Sequence, residues 1–186
     1  MQKFMKYFLV FICFIAVMFI GVVGIKLSQD LRSTAAPSTN LSFKFNSDLK
    51  GNTLKVQDKF NIQVLISTGN NQTIGSQISI KFDPTKLKLN DITSGGFYEN
   101  ASIAGKNIDN PQGIGSISFL VEPGSSVVSG SGILANLSFT AIGDGKTIVN
   151  FDEPNTIVVA INENGENVVS SYSSVTLNIN KSRGKK

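Results

Sequence analysis

A chain of 186 residues has room for one ordinary domain with extensions at its ends, because domains cluster near roughly 100 to 150 residues. It contains no histidine and no tryptophan, and its one cysteine, Cys13, lies in an apolar run, which excludes disulfides, thiolate metal sites and His- or Cys-based catalysis from the rest of the chain. The formal net charge of +4 belongs to the ends: residues 40–180 hold nine lysines against twelve acids, so the expected folded part is mildly acidic and offers nucleic acid no phosphate-tracking surface.

The first element lies between Lys6 and Lys26, where YFLVFICFIAVMFIGVVGI runs for nineteen residues without a charge. As a helix it would be about 28 Å long, close to a hydrocarbon thickness of about 30 Å. Residues 1–27 are therefore expected to form an N-terminal transmembrane anchor, contacting the membrane through residues 7–25. The competing reading is a cleaved signal peptide, whose apolar core is usually about 7 to 15 residues long. A lysine-flanked first helix with a long domain behind it sends that domain outward, so the expectation is a single-pass membrane protein with its C-terminal domain extracytoplasmic, at the cell surface. Residues 28–39 are polar, contain Pro37 and read as a linker.

From residue 40 the hydrophobic period becomes two. Phe60, Ile62, Val64 and Ile66 share one face of a first strand, with Leu65 as the exception. Further inward sets are Ile78, Ile80 and Phe82, then Leu87 and Leu89 with Ile92, then Ile117, Phe119 and Val121. Ile133, Ala135, Leu137, Phe139 and Ala141 form another, and Val175, Leu177 and Ile179 the last. Turn clusters such as STGNN, TSGG, DNPQG, EPGSS, GDG and NENG separate the runs. Eight or nine short strands at this spacing predict an all-β fold over residues 40–180, either two antiparallel sheets packed face to face or a closed barrel. Residues 181–186 form a basic tail.

One corner of that fold is legible in detail. Alternation stops at Asp83-Pro84 and resumes at Leu87. Pro84 has no amide hydrogen for a ladder and a φ suited to the second place of a turn, and the Asp83 carboxylate can accept from amides just ahead. Asp83 and Pro84 are thus structural turn residues.

Catalytic machinery is not visible. Asp152 and Glu153 are adjacent, so on a strand they would point to opposite faces rather than flank one bond. No Gly-x-Ser-x-Gly turn occurs. The oxygen-rich NENGEN, 162–167, lacks the spacing and closing glutamate of an EF-hand and reads as an Asn-Gly turn. Neither an enzyme, nor a metal site, nor a cofactor is expected.

The segments LKVQDKFNIQVLIST, IGSQISIKFDPTKLKLNDIT, GIGSISFLV, GILANLSFTAIGDGKTIVNF and VVAINENGENV resemble, in order and spacing, successive strands of cohesin domains, over about Leu54 to Ile179. The resemblance implies a jelly-roll β-sandwich of about nine strands that binds dockerin modules, whose paired calcium loops would carry any calcium on the partner's side. It also implies a partner-binding face built from Gln77, Ser79, Lys81, Ser118, Leu120 and Glu122. Two departures stand out: Gln57 precedes Asp58 where cohesins commonly carry glycine, and Gln77, Ser79 and Lys81 stand where Asn or Asp is frequent. The related fold of some carbohydrate-binding modules implies an alternative, an ectodomain linked to polysaccharide binding or degradation. Its candidate glycan contact is Phe97-Tyr98, although a loop pair folded over the core rim explains the same residues. A purely structural surface protein is the remaining alternative.

Overall fold

The computed structural model describes residues 38–46, 53–161 and 165–181. The expected anchor, nearly all of the linker and the tail beyond Lys181 lie outside the described residues. Twelve strands follow in order: β1 Thr39–Asn46, β2 Thr53–Lys55, β3 Lys59–Ser67, β4 Thr73–Lys81, β5 Leu87–Ser94, β6 Ala101–Asp109, β7 Ile114–Val121, β8 Ser131–Ala141, β9 Gly145–Phe151, β10 Ile157–Ala160, β11 Val169–Tyr172 and β12 Val175–Asn180. A single 3-10 turn, Glu153–Asn155, separates β9 from β10. β1 opens at Thr39, a fully buried residue, so the last residue assigned to the linker belongs instead to the sandwich.

The strands form two sheets rather than a closed barrel. One runs β11-β1-β3-β8-β5; the other runs β2-β12-β9-β4-β7-β6, with β10 added alongside β4. Pairing is antiparallel except for β1 with β11 and β12 with β2, which run parallel. The count exceeds the nine expected because β2, β10 and β11 have only three or four residues each, too few to show a period of two.

Between the sheets the alternating residues close a single core. Phe60, Ile62, Val64 and Ile66 from β3 meet Ile78, Ile80 and Phe82 at β4, and Leu87, Leu89, Leu177 and Ile179 join them. Phe139 is fully buried and packs between Phe60, 5.7 Å away and stacked, and Phe82, 5.4 Å away and edge-on.

One inward set is corrected. β3 and β8 pair Val64 with Ala135 and then Leu65 with Ile133, so Leu134 is the extra residue of a β-bulge. The bulge reverses the phase of β8 by one residue. Leu134 is 1% exposed, and Ile133, expected inside, is only half-buried.

The Asp83-Pro84 corner has the expected mechanics. Thr85 donates to Asp83 Oδ1 from its amide (2.9 Å) and its hydroxyl (2.6 Å), while the amides of Lys86 and Leu87 donate to the Asp83 carbonyl. The Thr85 bonds, with Lys86 nearby, hold the Asp83 carboxyl below its ordinary range. Gly113 is required beside this corner: its φ is +67° and a Cβ would lie 2.1 Å from the Phe82 carbonyl oxygen. The Phe82 amide donates to the Gly113 carbonyl at 2.9 Å.

Candidate binding face

The residues proposed to meet a partner lie on the outer side of the β10-β4-β7-β6 part of the larger sheet. Register brings them into rows. Gln77 of β4 stands opposite Ser118 of β7 on one side and Ile157 of β10 on the other. Gly75 stands opposite Leu120 and Val159. Lys81 stands opposite Ile114 and, across β9, Asn150. Gln77, Lys81 and Leu120 are exposed and Ser118 is half-buried. Glu122 is exposed just past the end of β7, its amide donating to the Asn100 carbonyl at 3.2 Å.

Ser79 does not belong to this open face. It is 4% exposed, because the chain crossing from β9 to β10 passes over it. The Thr156 hydroxyl donates to the Ser79 carbonyl (3.0 Å) and accepts from its amide (3.1 Å), and the Asp152 amide donates to the same carbonyl (2.9 Å). Ser79 stands opposite Ser116 of β7 on one side, but on the other edge β4 falls between β9 and β10 without a strand partner, and the crossover satisfies its backbone groups there instead.

The crossover also organises the polar half of the face. Lys81 Nζ lies 2.7 Å from Asp152 Oδ1, and Asn155 Nδ2 donates to Asp152 Oδ2 at 2.8 Å. Gln77 Nε2 donates to the Asn155 carbonyl at 3.1 Å, and the Ser118 hydroxyl donates to Gln77 Oε1 at 3.3 Å. Five residues, the expected Lys81, Gln77 and Ser118 with the neighbouring Asp152 and Asn155, therefore form one connected chain of hydrogen bonds. The Asp152 side chain is 4% exposed, and Lys81 followed by Asn155 holds its carboxyl below the ordinary range. Lys81, in turn, reaches the surface with its charge already matched.

The other half of the face is apolar, and of its residues Leu120 alone was anticipated. Ile74, Gly75, Ala104, Leu120, Ile157 and Val159 surround a shallow groove of about 330 Å³. Leu120 is 54% exposed, and Ile157 is also open to solvent. Sequence reasoning found Leu120 because it breaks the alternation of β7. It missed Ile157 and Val159 because IVVA has no alternation, and Ala104 because a bulge between Ile103 and Gly105 of β6 decides which way it points.

The Phe97-Tyr98 candidate is corrected in favour of the core rim. Tyr98 is 4% exposed, with its ring edge-on to Phe97 at 4.9 Å and 5.9 Å from Phe119. Phe97 is half-buried against Gly132, where a Cβ would come within 2.9 Å of the ring. A buried Tyr98 cannot present a ring face to a sugar. Its hydroxyl sits near those of Thr73 and Ser76 without a normal hydrogen bond among the described residues, and burial pushes its pKa up against the opposing pull of those two hydroxyls. Among the described residues no three His, Cys, Asp or Glu side chains gather as a metal site; residues 162–164 of the oxygen-rich loop lie outside the description.

Comparison with known proteins agrees with this fold. A family model described as "Cohesin domain" matches residues 45–179. No curated protein matches the chain in sequence. Among solved structures, the chain is similar to a cohesin module from a family 33 glycoside hydrolase of Clostridium perfringens, with a TM-score of 0.62 and 17% identity over 79% of this chain and 100% of that one. It is similar to the third ScaC cohesin of Acetivibrio cellulolyticus, solved in complex with the ScaB dockerin, with a TM-score of 0.63 and 11% identity over 76% of this chain and 99% of that one. A type II cohesin domain from the cellulosome of Acetivibrio cellulolyticus gives a TM-score of 0.59 and 15% identity over 76% and 96%.

Proposed function

Because the chain belongs to the cohesin domain family, we propose that it is a non-catalytic attachment module that binds a dockerin-type protein partner through the outer face of β10, β4, β7 and β6. The partner's calcium would be its own. The observation that carries the face is Leu120, a large aliphatic side chain more than half exposed near the end of β7, lining one groove with Ile157 beside a hydrogen-bonded polar network. A rigid surface with a central apolar contact binds with little ordering cost. The dockerin held by the Acetivibrio cellulolyticus neighbour supports the partner class.

The proposal extends to placement. Residues 1–27 anchor the module in a membrane, residues 28–38 tether it, and the domain works outside the cytoplasm, at the cell surface. The uncharged nineteen-residue run between Lys6 and Lys26 supports this arrangement.

Binding of the full chain, in detergent, to purified dockerin modules encoded in the same genome tests the partner class, with a glycan array run in parallel. Leu120→Ala is expected to weaken dockerin capture about tenfold without lowering Tm, and Gln77→Ala to weaken it less. Capture indifferent to both substitutions would place the interface elsewhere; retention of glycans with no dockerin bound would replace the proposal by a carbohydrate-binding one.

A further inference from the structure

The shallow groove in the apolar half of the face has a hole at one residue position. Gly75 forms its floor, with Leu120 directly across on β7 and Val159 directly across on β10. Ala104 from the β6 bulge and Ile157 line further sides, and Gln77 with Ser118 borders it toward the polar network. The floor is low only because residue 75 has no side chain. A Cβ there would project beside Leu120, 3.8 Å from its Cδ1, and would come within 2.8 Å of the Phe119 carbonyl oxygen. Gly75 carries no positive φ, so the glycine serves space rather than backbone conformation.

Charge narrows the occupant further. Lys81 is the cation of the polar network on this face, and it is matched at 2.7 Å by the nearly buried Asp152 carboxylate, to which Asn155 also donates. An acidic partner residue approaching Lys81 would compete with a carboxylate already in contact and would add a second negative charge beside it. Glu122, beyond the end of β7 and two residues from Leu120, is exposed and has no ion pair among the described residues. The charge left to be complemented on this face is therefore negative.

Resting on the attachment reading above, we propose that the partner seats one aliphatic side chain in the hole over Gly75, between Leu120, Val159 and Ile157, and sets a lysine or arginine beside Glu122. Lys81 with Asp152 is a positioning pair that holds Gln77 and Asn155 in place rather than a direct contact for a partner acid. Recognition at this face is then governed by shape and apolar burial, with one charge setting orientation.

A library displayed on a calcium-loaded dockerin scaffold, with its helix surface positions randomised, is selected against the full chain in detergent and counter-selected against the Leu120→Asp variant. Each variant is checked by thermal melting, and self-association is followed by sedimentation. The expected clones carry a Leu, Ile, Val or Met at one recurrent position and a Lys or Arg near it. Their affinity falls about tenfold on Leu120→Ala or Ile157→Ala, changes less than about twofold on Lys81→Met, and drops on Glu122→Lys. Clones enriched instead in Asp or Glu, and lost on Lys81→Met, would overturn this inference while leaving the attachment reading intact. Counter-selection that removes no clones would show binding away from the face and overturn both. A dimer of the full chain abolished by Leu120→Asp would assign the hole to a second copy, against the proposal.

Discussion

At the scale of single residues, Gln57 is where local chemistry and backbone disagree. The Asp58 amide donates to the Lys55 carbonyl at 3.0 Å, closing a four-residue turn, and Gln57 in its third place has φ +81°. That is the value a type II turn asks of its third residue, and glycine reaches it without a steric cost. Gln57 is exposed, so nothing in its side chain offsets the strain. Gln57→Gly is expected to stabilise the fold by about 0.5–1 kcal/mol, seen as a rise in the urea midpoint at unchanged slope. Tyr98 makes the opposite case, a buried hydroxyl with no bond of normal geometry. Removing it in Tyr98→Phe is expected to leave Tm unchanged or raise it by a few degrees, since no satisfied hydrogen bond is lost. The resemblance pointed to Gln57, because glycine is common there. The fate of Tyr98 was not legible, because a loop aromatic gives no sign of whether it turns outward or back over the core.

At the scale of elements, period-two alternation located β3, β4, β5, β7, β8 and β12 but gave no inward set for β1 or β6, and its failures within the located strands coincide with irregular pairing. In β8 the bulge at Leu134 exchanges the expected roles of two neighbours of similar size. Leu134→Ala is therefore expected to cost about 2–4 kcal/mol and Ile133→Ala less than about 1.5 kcal/mol, measured by chemical denaturation. Equal costs would mean that the phase of this strand is not set by the bulge. The same limit explains Ala104 in β6 and Ile74 in β4, each skipped by the pairing register and each placed at the groove. β6 itself is an exposed edge strand. It is protected by its bulge and by Lys106, which lies 2.8 Å from Asp91 of β5, in the opposite sheet.

At the scale of the whole molecule, three carboxylates link separate parts of the sandwich. Asp83 holds the corner after β4, Asp91 pairs with Lys106 between the two sheets, and Asp152 ties the crossover to β4. Thr85, Lys106 and Lys81 respectively are the main cause of each being held below the ordinary carboxylate range. A carboxyl whose folded pKa is depressed contributes stability that is present above its unfolded value, near 4, and is lost as pH falls through the folded value. Stability is thus expected to be flat above about pH 5 and to decline below about pH 4. Asp152→Asn should flatten that decline more than Asp91→Asn, because Asp152 is almost buried while Asp91 is half-exposed and solvent weakens its pair. Urea melts from pH 2.5 to 7 measure both profiles. Equal profiles for Asp152→Asn and the parent chain would show that the crossover pair does not contribute.

Alternation of side chains, turn chemistry and composition by themselves determined that residues 40–180 carry an all-β fold, where most of its long strands lie, and that no His or Cys chemistry operates in it. They could do so because each signal is local: a period of two, a proline without an amide hydrogen, a residue type that is missing. The tertiary structure alone decided that Ser79 is covered, that Tyr98 is core, that Asp152 neutralises Lys81 across 71 residues of sequence, and that Gly75, Leu120 and Val159 meet around one hole. Those outcomes depend on which strands lie side by side and where a bulge shifts the register, and pairing between distant segments leaves no mark within either segment taken alone.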